Sequence, residues 1–318
     1  MATLKGKALI AYLLVCVLWG TTYLAIKIGV STLPPFLFAG LRFFVAGLIL
    51  FGLARAFGDA LPRRTDWKTL AIVGVLLLAG GNAFVVWSEQ YISSGIASIF
   101  VVTVAMWTAL FDALIPGGHG ELNWRVVAGL LLGFLGTLLL VGATPAQILA
   151  ADKRGPIALT FASASWALGS VYAKRHPTQA SPYMGAAFQM MVGGGVMALV
   201  GSVVGEWPAW HPNLRGLGAM AYLVVFGSIL GYSAYTYALR HASATIVGTY
   251  AYVNPIIAVL LGALLLHEAV GPRTFIAMMM ILVAVVWIQF SHNLRRREAL
   301  TAGRPSGRQP IDPEPEIS

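Results

Sequence analysis

Cys16 is the only cysteine among 318 residues, and only 10% of the residues are charged. A single cysteine forbids an intramolecular disulfide and any thiolate metal cage. Soluble domains average roughly 25% charged residues, so water is a poor solvent for most of this surface. No Gly-x-x-x-x-Gly-Lys-Ser/Thr loop occurs, which argues against ATP-driven work within the chain. The six histidines, His119, His176, His211, His241, His267 and His292, lack the i, i+4 spacing of a metal pair. No Asp-rich apolar segment suggests Mg²⁺-dependent lipid-phosphate chemistry, and no Ser–His–Asp set can be argued. The expectation is a chain that is not an enzyme and holds no cofactor and no metal.

Apolar residues are abundant, at 58%, with 35 glycines and 16 prolines. Both Gly and Pro are commoner in membrane helices than in soluble ones. The formal charge of +9 sits in short loops and in the tail. It reads as a membrane-topology signal, so no nucleic-acid partner is expected; the bilayer is the partner. Lys5 and Lys7 precede an apolar run that resembles a signal peptide. That run continues to about Gly29 without a clean small-residue cleavage site, which predicts an uncleaved first helix.

A hydrocarbon core of about 30 Å needs roughly 20 apolar residues in a helix. Ten such stretches are predicted, at 8–29, 35–56, 68–88, 95–115, 124–143, 156–174, 183–204, 216–237, 245–266 and 273–291. Helix is the assignment because a span must satisfy its own backbone, and the alternation of a barrel is absent. With the N-terminus in the cytoplasm, fifteen basic residues fall on that side, including Lys5, Lys7, Arg63, Arg64, Lys174 and Arg175. Four fall opposite: Lys153, Arg154, Arg215 and Arg273. Both termini are therefore expected in the cytoplasm. The Pro- and charge-rich tail, 299–318, is expected to be disordered.

The chain repeats itself. Trp19 matches Trp166, Lys27 matches Lys174, Pro35 matches Pro182, Gly47 matches Gly194 and Glu121 matches Glu268, all 147 residues apart. From Gly81 to Ser98 the best offset is 150. Each copy, 8–143 and 156–291, holds five stretches. Five is odd, so the second copy must cross the bilayer upside down. The fold class predicted is all-α, ten transmembrane helices in two inverted five-helix repeats, a recurrent plan of secondary transporters.

The chain resembles a ten-helix member of the drug/metabolite transporter superfamily built from two EamA-type repeats. The resemblance covers about residues 8–291. It is carried by Trp19-Gly20-Thr21-Thr22-Tyr23, Leu41-Arg42-Phe43 and Tyr91-Ile92-Ser93-Ser94-Gly95. In the second half it is carried by Trp166, Tyr250-Ala251-Tyr252-Val253-Asn254-Pro255 and His267-Glu268. It implies a permease of the bacterial inner membrane that exports amino acids or other small metabolites. The second copy departs from the first with Gln189 in place of Arg42.

Polar groups inside spans are the candidate substrate contacts, because each costs energy in hydrocarbon. Arg42, about seven residues into the second span, either binds an anionic group in a cavity or snorkels and pairs structurally. Trp19, Thr22 and Tyr23 share one helix face, and Trp166 and Ser170 repeat the pattern. Asn82, Trp87, Thr103, Trp107, Tyr232, Tyr235, Tyr250 and Asn254 complete the set. Singly, each aromatic fits an interface belt; together they fit a cavity for an organic solute. Lys27 and Lys174 end equivalent spans at opposite faces, as interfacial snorkels or as the mouths of a pathway. Asp112 is a protonatable site, a partner for a cation, or a watered interface carboxylate. Glu89 is expected at the interface. Pro255 either kinks its span harmlessly or breaks it at a binding site.

The predicted function is an inner-membrane secondary transporter of small organic metabolites, working by alternating access as monomer or homodimer. The scarcity of buried carboxylates favours facilitated exchange or uniport over proton coupling. Two alternatives remain: a carrier of phosphorylated or nucleotide sugars, or a lipid-acting flippase or enzyme.

Overall fold

The computed structural model describes residues 6–92, 94–115, 123–142, 144–150, 152–266 and 271–302. Ten helical segments form the bundle. They are α1 (Lys7–Val30), α2 (Pro35–Ala56), α3 (Arg64–Ser88), α4 (Ser94–Val102, resumed as Val104–Leu114) and α5 (Trp124–Val141). Then follow α6 (Arg154–Arg175), α7 (Pro182–Val203), α8 (Leu214–His241), α9 (Ala244–Gly248, resumed as Tyr250–Leu266) and α10 (Pro272–Ala302). Among the described residues there is no strand. Eight of these, all but α6 and α9, are long and apolar enough to cross a membrane. The link between the halves, read from the sequence as a loop, contains a short helix, Pro145–Ala150.

Local chemistry sets the helix ends. Pro35 and Pro182 open α2 and α7, where a missing N–H costs nothing. Asn123, Ser181, Asn213 and Ser243 accept N-terminal amides of α5, α7, α8 and α9. Gly58 (φ 90°) follows α2 and Gly205 (φ 81°) follows α7. These left-handed positions lie 147 residues apart, so the repeat extends to the helix stops. α10 runs through Ala302, past residue 299. The remainder, 303–318, lies outside the described residues, as do Glu121 and Glu268.

Packing follows the duplication. α2 crosses its counterpart α7, and α5 packs on its counterpart α10. α1 packs on α8 and α9, and α6 correspondingly on α3 and α4. The α2–α7 crossing is built on glycine. A Cβ on Gly194 would sit 2.5 Å from the Phe44 backbone nitrogen, and one on Gly40 would sit 2.4 Å from that of Ala198. Backbones that close let dispersion hold helices together where lipid offers no hydrophobic drive.

The inversion is visible in the contacts. Lys27, at the finish of α1, meets the finish of α3. There the Arg154 guanidinium, at the start of α6, lies 4.0 Å from the Tyr91 ring centroid. So α6 begins where α1 ends. Arg154 also holds Asp152 in a forked pair, drawing its carboxyl down to about 2 through hydrogen bonding.

The π-helical stretches Val75–Asn82 in α3 and Leu223–Leu230 in α8 lie at matching depths in the two copies. Such widened turns collect at functional sites. These carry Gly81 and Gly227, which border the central cavity.

Candidate functional site

A cavity of about 70 Å³ lies at the centre of the bundle, between the two repeats. At roughly 10–15 Å³ per water it holds several waters or one small solute. Trp19, Thr22, Tyr23, Arg42, Asn82, Trp166, Tyr232, Tyr250 and Asn254 line it, all of them singled out from the sequence. Trp87, Thr103, Trp107, Ser170 and Tyr235 do not line it. Trp87 meets Tyr91 edge to face and Trp107 stacks on Phe111, while Thr103 donates to the Phe100 carbonyl. Ser170 and Tyr235 act one layer back: their hydroxyls meet at 2.6 Å, and Trp166 donates to Tyr235 at 3.0 Å. Phe43, Ser163, Gly81 and Gly227 also line the cavity and were not anticipated. Gly81 could have been found by its place near the repeat's centre, but Phe43 looks like any apolar span residue.

The tryptophans that the repeat equates, Trp19 and Trp166, meet edge to face with centroids 5.4 Å apart. Trp19 also meets Tyr250 at 4.9 Å, and its ring nitrogen donates to the Gly227 carbonyl at 2.9 Å. Room for these rings is made by glycine: a Cβ on Gly81 would press on Trp166, and one on Gly231 on Trp19.

Arg42 is 2% exposed, so it does not snorkel. Its Nε donates to Ser228 Oγ at 3.0 Å, and its guanidinium lies 4.4 Å from the Phe43 ring centroid. Its Nη1 has no hydrogen-bond partner among the described residues. The same holds for the buried Oδ1 of Asn82. One aromatic cavity thus borders an unsatisfied cationic donor and an unsatisfied neutral acceptor, both costly unless something pairs with them.

The interruption in α9 falls at Thr249. Pro255 lies inside the continuous helix Tyr250–Leu266 and has no N–H for its ladder. Asn254, oriented as its surroundings require, donates to the carbonyls of Tyr250 and Cys16 at 3.1 Å. Its oxygen is left to the Tyr23 hydroxyl. Asn254 thereby ties α9 to α1 at the cavity wall.

The two lysines neither snorkel freely nor face the cavity. Lys27 donates to the carbonyls of Glu89 and Ile92 beyond α3, and Lys174 to those of Leu239 and Arg240 at the end of α8. Both neutralise a helix C-terminus, at places equivalent under the repeat. Replacing either by Met is expected to cost about 0.5–1.5 kcal/mol, read as a lowered melting temperature in detergent; unchanged melting would remove the cap.

Asp112 pairs with Arg175 at 3.3 Å, with both side chains largely shielded. Arg175 also donates to the carbonyls of Asp112 and Ile115, closing α4 against α6. Gln189, the counterpart of Arg42, faces elsewhere. It accepts from the Tyr232 hydroxyl at 2.8 Å and lines a second cavity of about 230 Å³ with Lys174, Thr236 and Arg240. The Tyr232–Gln189 contact separates the two cavities. Glu89 corrects the sequence reading outright. It is 0% exposed, not interfacial, because the turn after α3 folds beneath the Lys27 side chain.

A family model described as EamA-like transporter family matches residues 6–142 and again 153–290. The chain belongs to this family. It is 37% identical over 273 residues to YedA of Escherichia coli (strain K12), described as an uncharacterized inner membrane transporter; the match covers 86% of this chain and 87% of that one. It is 23% identical to the uncharacterized transporter YoaV of Bacillus subtilis (strain 168), over 91% of this chain and 99% of that one. A solved crystal structure shares the fold with a TM-score of 0.74 at 22% identity, covering 92% of this chain and 98% of that one.

Proposed function

We propose that the chain is a ten-span inner-membrane secondary transporter that exports amino acids or related small carboxylated metabolites by alternating access. One observation carries the reading: Arg42 and Asn82 line one aromatic-walled cavity between the repeats, and each has a buried atom, a cationic donor at Nη1 and a neutral acceptor at Oδ1, without a hydrogen-bond partner among the described residues. A carboxylate matches the guanidinium fork, and an ammonium matches the amide oxygen and the π-faces.

The inner-membrane assignment is supported by the name of the Escherichia coli relative and by eight apolar helices. The fifteen-to-four bias of basic residues puts both termini in the cytoplasm. The second cavity, lined by Lys174 and Arg240, then faces the cytoplasm, with the Tyr232–Gln189 contact as its partition from the central one. Export follows the family resemblance.

A carrier of phosphorylated or nucleotide sugars fits less well. Such dianions want several cations, and Lys27 and Lys174 are committed to helix carbonyls. Arg42 alone is at the cavity wall.

Purified protein in liposomes, loaded with unlabelled amino acids and assayed for counterflow of radiolabelled ones, tests the proposal. Counterflow of at least one carboxylated solute is expected. Trp19→Ala should weaken its half-saturation by about threefold to tenfold, the ~0.5–1.5 kcal/mol of an aromatic contact. Absence of organic flux together with turnover of a lipid would replace the reading with a lipid-acting one.

A further inference from the structure

We propose that Glu89 is a proton-exchange site of this transporter, taking up and releasing a proton through the mouth that carries Lys27. The inference rests on the transporter reading but on no particular solute. Glu89 is 0% exposed, and neither carboxylate oxygen has a hydrogen-bond partner among the described residues. An ionised carboxylate left so is among the most costly groups a protein can bury, whereas a neutral carboxyl is tolerated.

Its surroundings offer one charge and one link to the cavity. Lys27, with its side chain exposed, reaches down to the Glu89 backbone carbonyl rather than to the carboxylate. Tyr23 precedes Lys27 by one helical turn on α1 and lines the central cavity. One stretch of α1 thus joins the Lys27 mouth, where Glu89 is held, to the solute site.

The other elements packed on this end of α3 are α2, α4 and α6. From α2 the nearest titratable group along the cavity is Arg42, bonded to Ser228. From α6 it is Arg154, laid over Tyr91 and tied to Asp152. α4 contributes only Asp112 at its far end, paired with Arg175. Lys27 is thus the cation able to follow a change at Glu89.

The step is a simple proton transfer. An O–H bond forms on Glu89 Oε as an O–H bond of a hydronium ion at the Lys27 mouth breaks to leave water, and Lys27 stays on the carbonyls. When that bond breaks, the proton returns to water, and Lys27 can leave the carbonyls for the new carboxylate. Deprotonation thereby shifts the tie between α1 and the end of α3 from the Glu89 backbone to its side chain.

Infrared difference spectroscopy of the full-length protein in a lipid film, titrated with acid and alkali in H₂O and D₂O, tests this without any solute. A protonated-carboxyl carbonyl band is expected to appear on acidification, to shift in D₂O, and to vanish in Glu89→Gln. Asp112→Asn should leave it intact. Glu89→Asp, which keeps the carboxyl, should keep a band at altered position. Lys27→Met should let the band persist to higher pH, because a neighbouring cation favours the ionised form. A band that survives Glu89→Gln, one that ignores pH, or none at all overturns the proposal. Failed counterflow of amino acids with an intact Glu89 band would sink the solute assignment alone.

Discussion

Arg42→Gln is expected to cut counterflow of carboxylated solutes sharply at concentrations near the wild type's half-saturation. The guanidinium is buried and already oriented by Ser228, with Nη1 left for the solute. A hydrogen bond to a charged group contributes about 1.5–3 kcal/mol, so half-saturation should rise roughly 10- to 150-fold. Arg42→Lys should rescue little. A lysine ammonium is a compact point charge and cannot hold Ser228 while presenting a second donor in the fork geometry. Melting in detergent should not fall, since an unpaired buried charge costs stability in the absence of solute. Unchanged half-saturation would show that Arg42 only packs. A melting temperature lowered as much as flux would show that it holds the fold.

The second large effect concerns the fold. Gly194→Ala should lower the stability of the detergent-solubilised protein by about 1–3 kcal/mol or more, the cost of an overpacked core. Its new methyl group meets backbone, the Phe44 nitrogen at 2.5 Å and the Gly40 carbonyl oxygen at 2.8 Å, and neither can swing aside. Gly195→Ala is the control, one residue along the same helix. Its Cβ meets only the Phe44 ring at 3.9 Å, so it should stay within about 0.5 kcal/mol. Thermal unfolding of the two proteins side by side checks this. Equal melting would mean that α2 and α7 separate more easily than their glycine contacts imply.

The duplication was legible because helix-sized periodicity, paired glycines and paired prolines survive in sequence. Pro35 with Pro182 and Gly47 with Gly194 announced the repeat, whereas the crossing of α2 with α7 came only from the structure. The cavity was partly legible because polar and aromatic residues inside spans are costly, which drew attention to Trp19, Arg42 and Asn254. Depth along a helix was readable, but the direction a side chain faces was not. Trp87 and Trp107 share the chemistry of Trp19 yet meet aromatic neighbours four residues along, Tyr91 and Phe111, and no spacing rule distinguishes them. Glu89 misled for a related reason. A carboxylate at the end of a span is expected in water, and only the turn through Ile92, held by Lys27, reveals that it is enclosed.

The lysine caps bear on how the molecule can move. Each repeat is stapled across its first and third helices, one at the Lys27 mouth and the other at the Lys174 mouth. Helices so joined travel as couples. While both staples hold, neither half can part its first helix from its third at its fastened mouth.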